Sequence, residues 1–229
     1  MSAEQPPSRP PDEDGLRARL RSLRVFDGQL PPFDTDSAPE QPAELFLRWL
    51  LEAVDADVRD PHAMTLSTVD RDGRPSSRVL ILKGLADGQW QFATSRTSRK
   101  GHELGHTPWA AANFYWPQLG RQVRLRGRVL DAGPEEAARD FLARPQDSRA
   151  ESLVGHQSQV LDDPADLDAA ITRARSLLIA DPDHVPEHWA LYRLAPDEVE
   201  FWQADASRRH VRLRYELANA RWRRQLLWP

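Results

Sequence analysis

Apolar residues change their spacing along this chain, and the changes mark out its elements. From Pro42, the residues Leu45, Phe46, Trp49, Leu50, Ala53 and Val54 recur at helical spacing, with proline where a first helical turn accepts it. The period then falls to two. Met64 to Val69 alternates as a strand, Asp70-Arg71-Asp72-Gly73 supplies a hairpin turn, and Pro75 to Lys83 returns. In that return Val79-Leu80-Ile81-Leu82 is an unbroken apolar run, which predicts a strand buried on both faces, with Arg78 and Lys83 placing a cation at each end. Ala86-Asp87-Gly88 turns the chain into a strand over Trp90 to Thr94, and a short helix follows. Trp109 to Trp116 and Gln122 to Leu130 read as two further strands. Helical patterns return over Pro134 to Leu142 and Asp166 to Leu178, separated by a polar loop that contains Arg144, Ser148 and Gln157. The chain ends in strands at Trp189 to Leu194, Val199 to Trp202, His210 to Tyr215 and roughly Trp222 to Leu227. Many short strands with turns between them and few helices predict a mainly β fold, a barrel with peripheral α-helices.

Composition sharpens the ends of this picture. Eight of the 19 prolines precede Ala43, and residues 1–15 are too polar and proline-rich to bury a core, so they read as a disordered N-terminal arm. A short amphipathic piece from Leu16 to Phe26 reads as a loosely docked tail, and residues 16–229 as one domain without an internal repeat or linker. The absence of cysteine excludes disulfides, thiolate metal sites and cysteine nucleophiles. There is no apolar signal core and no apolar run long enough to span a bilayer, so the expectation is a cytoplasmic protein without membrane contact.

Charge brings in candidate chemistry. The chain carries 31 Lys and Arg against 35 Asp and Glu, a net charge of −4, yet cations and hydroxyls gather at successive strand ends. These are Arg78 and Lys83, then Thr94 with Ser98-Arg99-Lys100, then Gln122 with its neighbouring arginines. Hydroxyls, N–H groups at a helix start, and Arg or Lys side chains are the donors that a bound phosphate needs. Local cations on an acidic chain suit a small anionic ligand better than a polyanion, and the runs Arg121 to Arg128 and Arg221 to Arg224 alternate as strand faces do, so nucleic-acid binding is not expected.

Competing motifs fail on their own chemistry. His102-Glu103-Leu104-Gly105-His106 matches H-E-x-x-H, but Gly105 interrupts the helix that zinc ligation needs and Thr107-Pro108 ends it. In the longer zinc-protease pattern, Trp109 stands at the glycine and Ala112 at the third histidine, so no metal site is expected. No G-x-S-x-G, Rossmann or P-loop pattern is present. In Arg208-Arg209-His210-Val211-Arg212, alternation along a strand would point Arg208, His210 and Arg212 the same way.

In order and separation, these segments resemble the pyridoxine (pyridoxamine) 5′-phosphate oxidase family of flavoproteins. The pieces that carry the resemblance are Arg78 to Lys83, Thr94 with Ser98-Arg99-Lys100, Arg121-Gln122-Val123, Arg144-Pro145 with Ser148, Gln157-Ser158, and Glu200-Phe201-Trp202-Gln203 with Arg208, His210 and Arg212. The resemblance runs from about Pro61 to Pro229 and implies an FMN-binding split β-barrel that forms a homodimer with its two FMN sites at the subunit interface. Arg78, Lys83, Thr94, Ser98, Arg99, Lys100 and Gln122 would hold FMN from one subunit, and Gln157, Ser158, Trp202 and Arg212 would complete the site from the partner. Arg208 and His210 would be the catalytic pair beside a small-molecule substrate, whose phosphate the family holds with residues matching Lys83, Arg144 and Ser148. The implied reaction is hydride transfer from a C–H beside an amine or alcohol to flavin N5, followed by reoxidation by O₂ to give hydrogen peroxide.

Three departures qualify the substrate. Asp140 stands at the family's substrate-binding tyrosine, Ser148-Arg149-Ala150-Glu151-Ser152-Leu153 replaces S-Q-x-G-A-W, and Trp189-Ala190-Leu191-Tyr192-Arg193 replaces W-G-G-Y-R. Similar erosion occurs in relatives that oxidise dihydrophenazines and other secondary metabolites. Three functions therefore stay open: a vitamin B6 phosphate oxidase, a related flavin oxidase acting on another reduced ring or imine, and a flavin or pyridoxal phosphate binding protein without turnover.

Overall fold

The computed structural model describes residues 12–26 and 28–229. Residues 1–11 of the expected N-terminal arm lie outside the described residues, while Glu13, Asp14 and Gly15 form the first turn of helix α1 (Glu13–Ser22), capped by the Asp12 carboxylate. None of the residues of α1 is buried.

Helix α2 (Pro42–Asp55) fills the concave side of an antiparallel sheet. Its Leu45, Phe46, Trp49 and Ala53 are buried, whereas Val54 faces solvent. The sheet starts with β1 (Ala63–Val69), β2 (Pro75–Ile81), β3 (Gly84–Ala86) and β4 (Gln89–Ser95). Helix α3 (Arg99–His106) leads into β5 (Trp109–Trp116) and β6 (Arg121–Asp131). Helices α4 (Pro134–Leu142), α5 (Gln146–Leu153) and α6 (Pro164–Ala180) precede β7 (Trp189–Gln203), β8 (Val211–Ala218) and β9 (Arg221–Leu226).

The strand order is β2-β1-β5-β6-β7-β4-β3, with β8 and β9 continuing from β7. The 15-residue β7 is the spine: it pairs with β6 along one edge, and along the other with β4 through Trp189–Leu194 and with β8 through Glu198–Gln203. The predicted break between two C-terminal strands is instead a bulge, where the pairing of β6 and β7 shifts between Arg126 and Gly127. Gly127 is required there, because a Cβ would collide with the carbonyl of Ala195. The result is a curled half-barrel. Phe46 packs 4.8 Å from Phe114 and 5.2 Å from Trp90, and Trp49 lies 5.2 Å from Phe201 edge to face, so α2 joins strands that are far apart in sequence. Truncating such a buried aromatic to alanine typically costs about 3–5 kcal/mol.

Two expectations are corrected. Strand β2 is not buried on both faces: it is an edge strand that pairs, among the described residues, only with β1, and Val79 is 65% exposed. The polar loop after α4 is in part helical, since Ala150 of α5 packs on Ala174 and Leu178 of α6. Among the described residues, no helix is long and apolar enough to cross a membrane.

Candidate functional site

The predicted site residues fall into two groups at opposite ends of β7. The first forms where β4 runs into α3. Ser98 caps α3, its hydroxyl accepting from the Gly101 N–H at 3.2 Å and donating to the Ser95 carbonyl at 2.8 Å. Gly101 is needed for this tight entry, because a Cβ would run into the carbonyl oxygens of Ser95 and Arg96. Lys100 is thereby turned inward, 6% exposed, and its Nζ donates to Thr94 Oγ1 at 3.1 Å and to Gln157 Oε1 at 2.9 Å. Burial pushes its pKa down to about 8, Arg78 adds to the shift, and Glu103 and Glu151 oppose it. Ser158, at φ +77°, places its hydroxyl 3.3 Å from the Arg99 N–H. Gln157 and Ser158 thus meet the β4–α3 junction of their own chain, where the expectation had them completing the site from the partner.

Glu103 organises the cations around this junction, a role that the H-E-x-x-H match concealed. The buried carboxylate accepts from Thr68, from Ser76 at 2.7 and 2.9 Å, from Arg99 Nε at 2.8 Å and from Arg78 at 3.4 Å. Burial would raise its pKa, but hydrogen bonds from Thr68, Ser76 and Arg99 and the charge of Arg78 outweigh burial and hold it at about 2. The spacing of Arg99 and Glu103, one helical turn apart, was the available signal in the sequence. His102 and His106 stay exposed, with His106 Nδ1 2.7 Å from the His102 carbonyl and Nε2 against Arg71.

Adjoining this junction is a cleft of about 640 Å³ lined by Leu80, Thr94, Arg144, Ser152, Gln157 and Trp189, among others. Arg144 lies 4.4 Å over the Trp189 ring and donates to Ser152 Oγ at 2.6 Å. Its pKa is lowered by burial, against the opposing pull of Asp140 and Glu151. Trp189 Nε1 donates to Asp140 Oδ2 at 3.1 Å, and Lys83 Nζ stands 4.0 Å from Asp140 Oδ1. Ser148 is on α5, where its carbonyl accepts from Ser152, so Ser152 and not Ser148 supplies the hydroxyl at Arg144. Neither Trp189 nor Ser152 is among the site residues expected from the sequence.

The second group sits on the far half of β7 and its neighbours. Gln122 pairs across from Trp202, and Trp202 across from Arg212. Arg212 is committed to Glu200, at 2.8 and 3.1 Å, which also holds Arg124. His210 lies tilted against Trp202 with ring centres 4.9 Å apart, and Phe26, the end of the segment read as a loosely docked tail, meets both rings at 5.5 and 5.6 Å. Arg208 is not on a strand with His210 and Arg212: it has φ +67° and ends a turn from Asp205, and β8 starts only at Val211. His210 Nδ1 accepts the Asp205 N–H at 3.1 Å.

The separation of the groups follows from the register. Thr94 lies opposite Ala190 and Gln122 opposite Trp202, and twelve residues of extended chain (202 minus 190) cover roughly 40 Å along the strand. Among the described residues, no hydrogen bond or aromatic contact joins the two groups within one chain.

Comparison with known proteins covers the residues of both groups. The model of the family described as pyridoxamine 5′-phosphate oxidase matches residues 50–178, and that of the pyridoxine 5′-phosphate oxidase C-terminal dimerisation region matches residues 189–229. A pyridoxine/pyridoxamine 5′-phosphate oxidase of Pseudomonas fluorescens is 42% identical over 194 residues, covering 84% of this chain and 90% of the relative. One from Burkholderia cenocepacia is 43% identical over 196 residues, covering 86% and 91%. Among solved structures, PhzG from Burkholderia lata, determined in complex with tetrahydrophenazine-1-carboxylic acid, superposes with a TM-score of 0.83 at 36% identity, covering 88% of this chain and all of that one. An FMN binding protein from Nostoc punctiforme, related to pyridoxamine 5′-phosphate oxidase, shares the fold at 19% identity with a TM-score of 0.66, covering 84% and 99%. The half-barrel is that of the split-barrel flavoproteins, and the chain belongs to the pyridoxamine 5′-phosphate oxidase family.

Proposed function

We propose that this protein is an FMN-dependent oxidase that works as a homodimer, with the β4–α3 junction of one protomer facing the Trp202–His210 group of the other. The observation that carries this reading is Lys100, a buried cation whose hydrogen bonds go only to neutral oxygens beside the capped start of a helix. Glu103 and Glu151 act on it only from a distance, no anion is hydrogen-bonded to it among the described residues, and a phosphate supplies one. The donors present fit the FMN phosphate: Lys100, Arg99, Ser98 and Thr94 would hold it, with Arg78 oriented behind them by Glu103. Gln122, Gln157, Ser158, Trp202 and Arg212 complete the proposed cofactor set, and Lys83 and Arg144 border the substrate.

Bound there, FMN would supply the redox chemistry, accepting a hydride from a substrate C–H beside an amine or alcohol and passing the electrons to O₂ to give hydrogen peroxide. The chain's own contribution is positional. Because His210 Nδ1 accepts a backbone N–H, the neutral ring carries its proton on Nε2 and offers a donor there. Trp202 fixes the plane of that ring, and Arg208, exposed at the end of its turn, adds a cation. The dimer is supported by the match of residues 189–229 to a dimerisation region and by the placement of the two groups at opposite ends of β7.

A reading in secondary metabolism, on a reduced heterocycle in place of a vitamin B6 phosphate, is favoured by the likeness to PhzG. The test is a flavin titration followed by a peroxide assay. The protein should bind FMN well ahead of riboflavin, and the FMN-loaded form should release peroxide with pyridoxine 5′-phosphate or with a reduced phenazine. Equal affinity for the two flavins, or none for either, would overturn the proposal.

A further inference from the structure

We propose that Asp140, which does not itself line the cleft, acts through its contacts with Trp189 and Lys83 to deny the cleft a phosphate site, so that the substrate is a reduced aromatic heterocycle without a phosphate, carrying at most one negative charge. This deepens the flavin oxidase reading and rests on it. Both cations that could receive a substrate phosphate are already engaged. Arg144 has one face on the Trp189 indole and its Nη1 on Ser152, and Lys83 faces the Asp140 carboxylate. Asp140 cannot turn away freely, because its Oδ2 holds the N–H of Trp189, which is 7% exposed, and a buried donor left unpaired is destabilising.

The rest of the cleft agrees. Its lining carries two cations, Arg144 and Arg173, against three carboxylates, Glu151, Asp162 and Asp166, so the charged side chains of the lining give a dianion no net attraction. The remaining surface mixes apolar side chains, among them Leu80, Val160, Leu167 and Trp189, with neutral polar ones such as Thr94, Ser152 and Gln157. A volume of about 640 Å³ with an indole wall suits a flat ring system. Its charge balance suits a molecule that is neutral or a monoanion.

The test uses FMN-loaded protein with 4-deoxypyridoxine and its 5′-phosphate. This pair differs only in the phosphate and has neither an aldehyde nor an oxidisable C4′ hydroxyl. Binding is read from the flavin absorbance change, in the wild type and in Asp140→Asn, which keeps an acceptor for Trp189. We expect the wild type to show no preference for the phosphate ester, and Asp140→Asn to bind it about 100-fold more tightly than the wild type does, with the alcohol form changed less than about threefold. Asp140→Tyr should move in the same direction. The inference is overturned if the wild type prefers the phosphate ester by about 100-fold, or if both variants leave its binding where it was. FMN affinity, measured first, keeps this outcome apart from a failure of the flavin reading.

Discussion

Lys100 Nζ lies 2.9 Å from Gln157 Oε1, so the most buried cation of the site is held by a neutral amide across 57 residues of sequence. Burial lowers its pKa to about 8, whereas a phosphate beside it favours the charged form. Binding FMN above pH 8 must therefore take up a proton. FMN affinity should be flat just below pH 8 and fall by up to about tenfold per unit above it, while riboflavin affinity stays level. Titrations between pH 7 and 9.5 check this, and Lys100→Met should weaken FMN and remove the slope.

Glu103 should govern acid stability. Its folded pKa of about 2 lies below the ordinary 4.5, so its contribution is full above pH 4.5 and is lost as the pH falls towards 2. The shift corresponds to roughly 3 kcal/mol. Urea unfolding from pH 7 to pH 3 should show Glu103→Gln less stable at neutral pH and less sensitive to acid than the wild type.

The H-E-x-x-H match should be without consequence for metal. Glu103 is committed to two arginines and two hydroxyls, and His106 to Arg71 and the His102 carbonyl. Metal analysis of purified protein should find no stoichiometric zinc. A double variant, His102→Ala with His106→Ala, should keep flavin-dependent turnover within about twofold, because exposed side chains away from such features rarely matter.

Sharing of the site between subunits can be read by mixing. Lys100→Ala and His210→Ala should each be inactive alone, yet after unfolding and refolding together half of the dimers are mixed and each has one intact site. Roughly a quarter of wild-type activity should return. Sites built within one chain would give none.

How far the sequence disclosed this arrangement depended on how local each signal was. Strands β1, β5 and β6 and helix α4 lie within a residue or two of expectation, since alternation and helical spacing are properties of neighbouring residues. Helix α5 was hidden because its Gln146–Leu153 segment is polar and has Ala150 as its one buried residue, packed against α6. Ala195-Pro196 read as the end of a strand, but Gly127 on the facing strand has room for the bulge that carries β7 through. Arg208 and His210 share a spacing and not a strand, because the chain takes a left-handed turn at Arg208. Sequence patterns named the candidate phosphate donors, but the buried carboxylate of Glu103 that orients two of them became visible only when Thr68 and Ser76 were brought beside it.

The edge position of β2 bears on the life of the chain before any ligand arrives. Its outer backbone groups have no strand beside them among the described residues, its Val79 and Ile81 face outward, and Arg78, the cation that could guard the edge, turns in toward Glu103. Such an edge adds foreign strands as readily as proper ones. While this edge stays uncovered it invites aggregation, and slower synthesis, which keeps nascent chains scarce, should raise the soluble yield more than any change to the cleft.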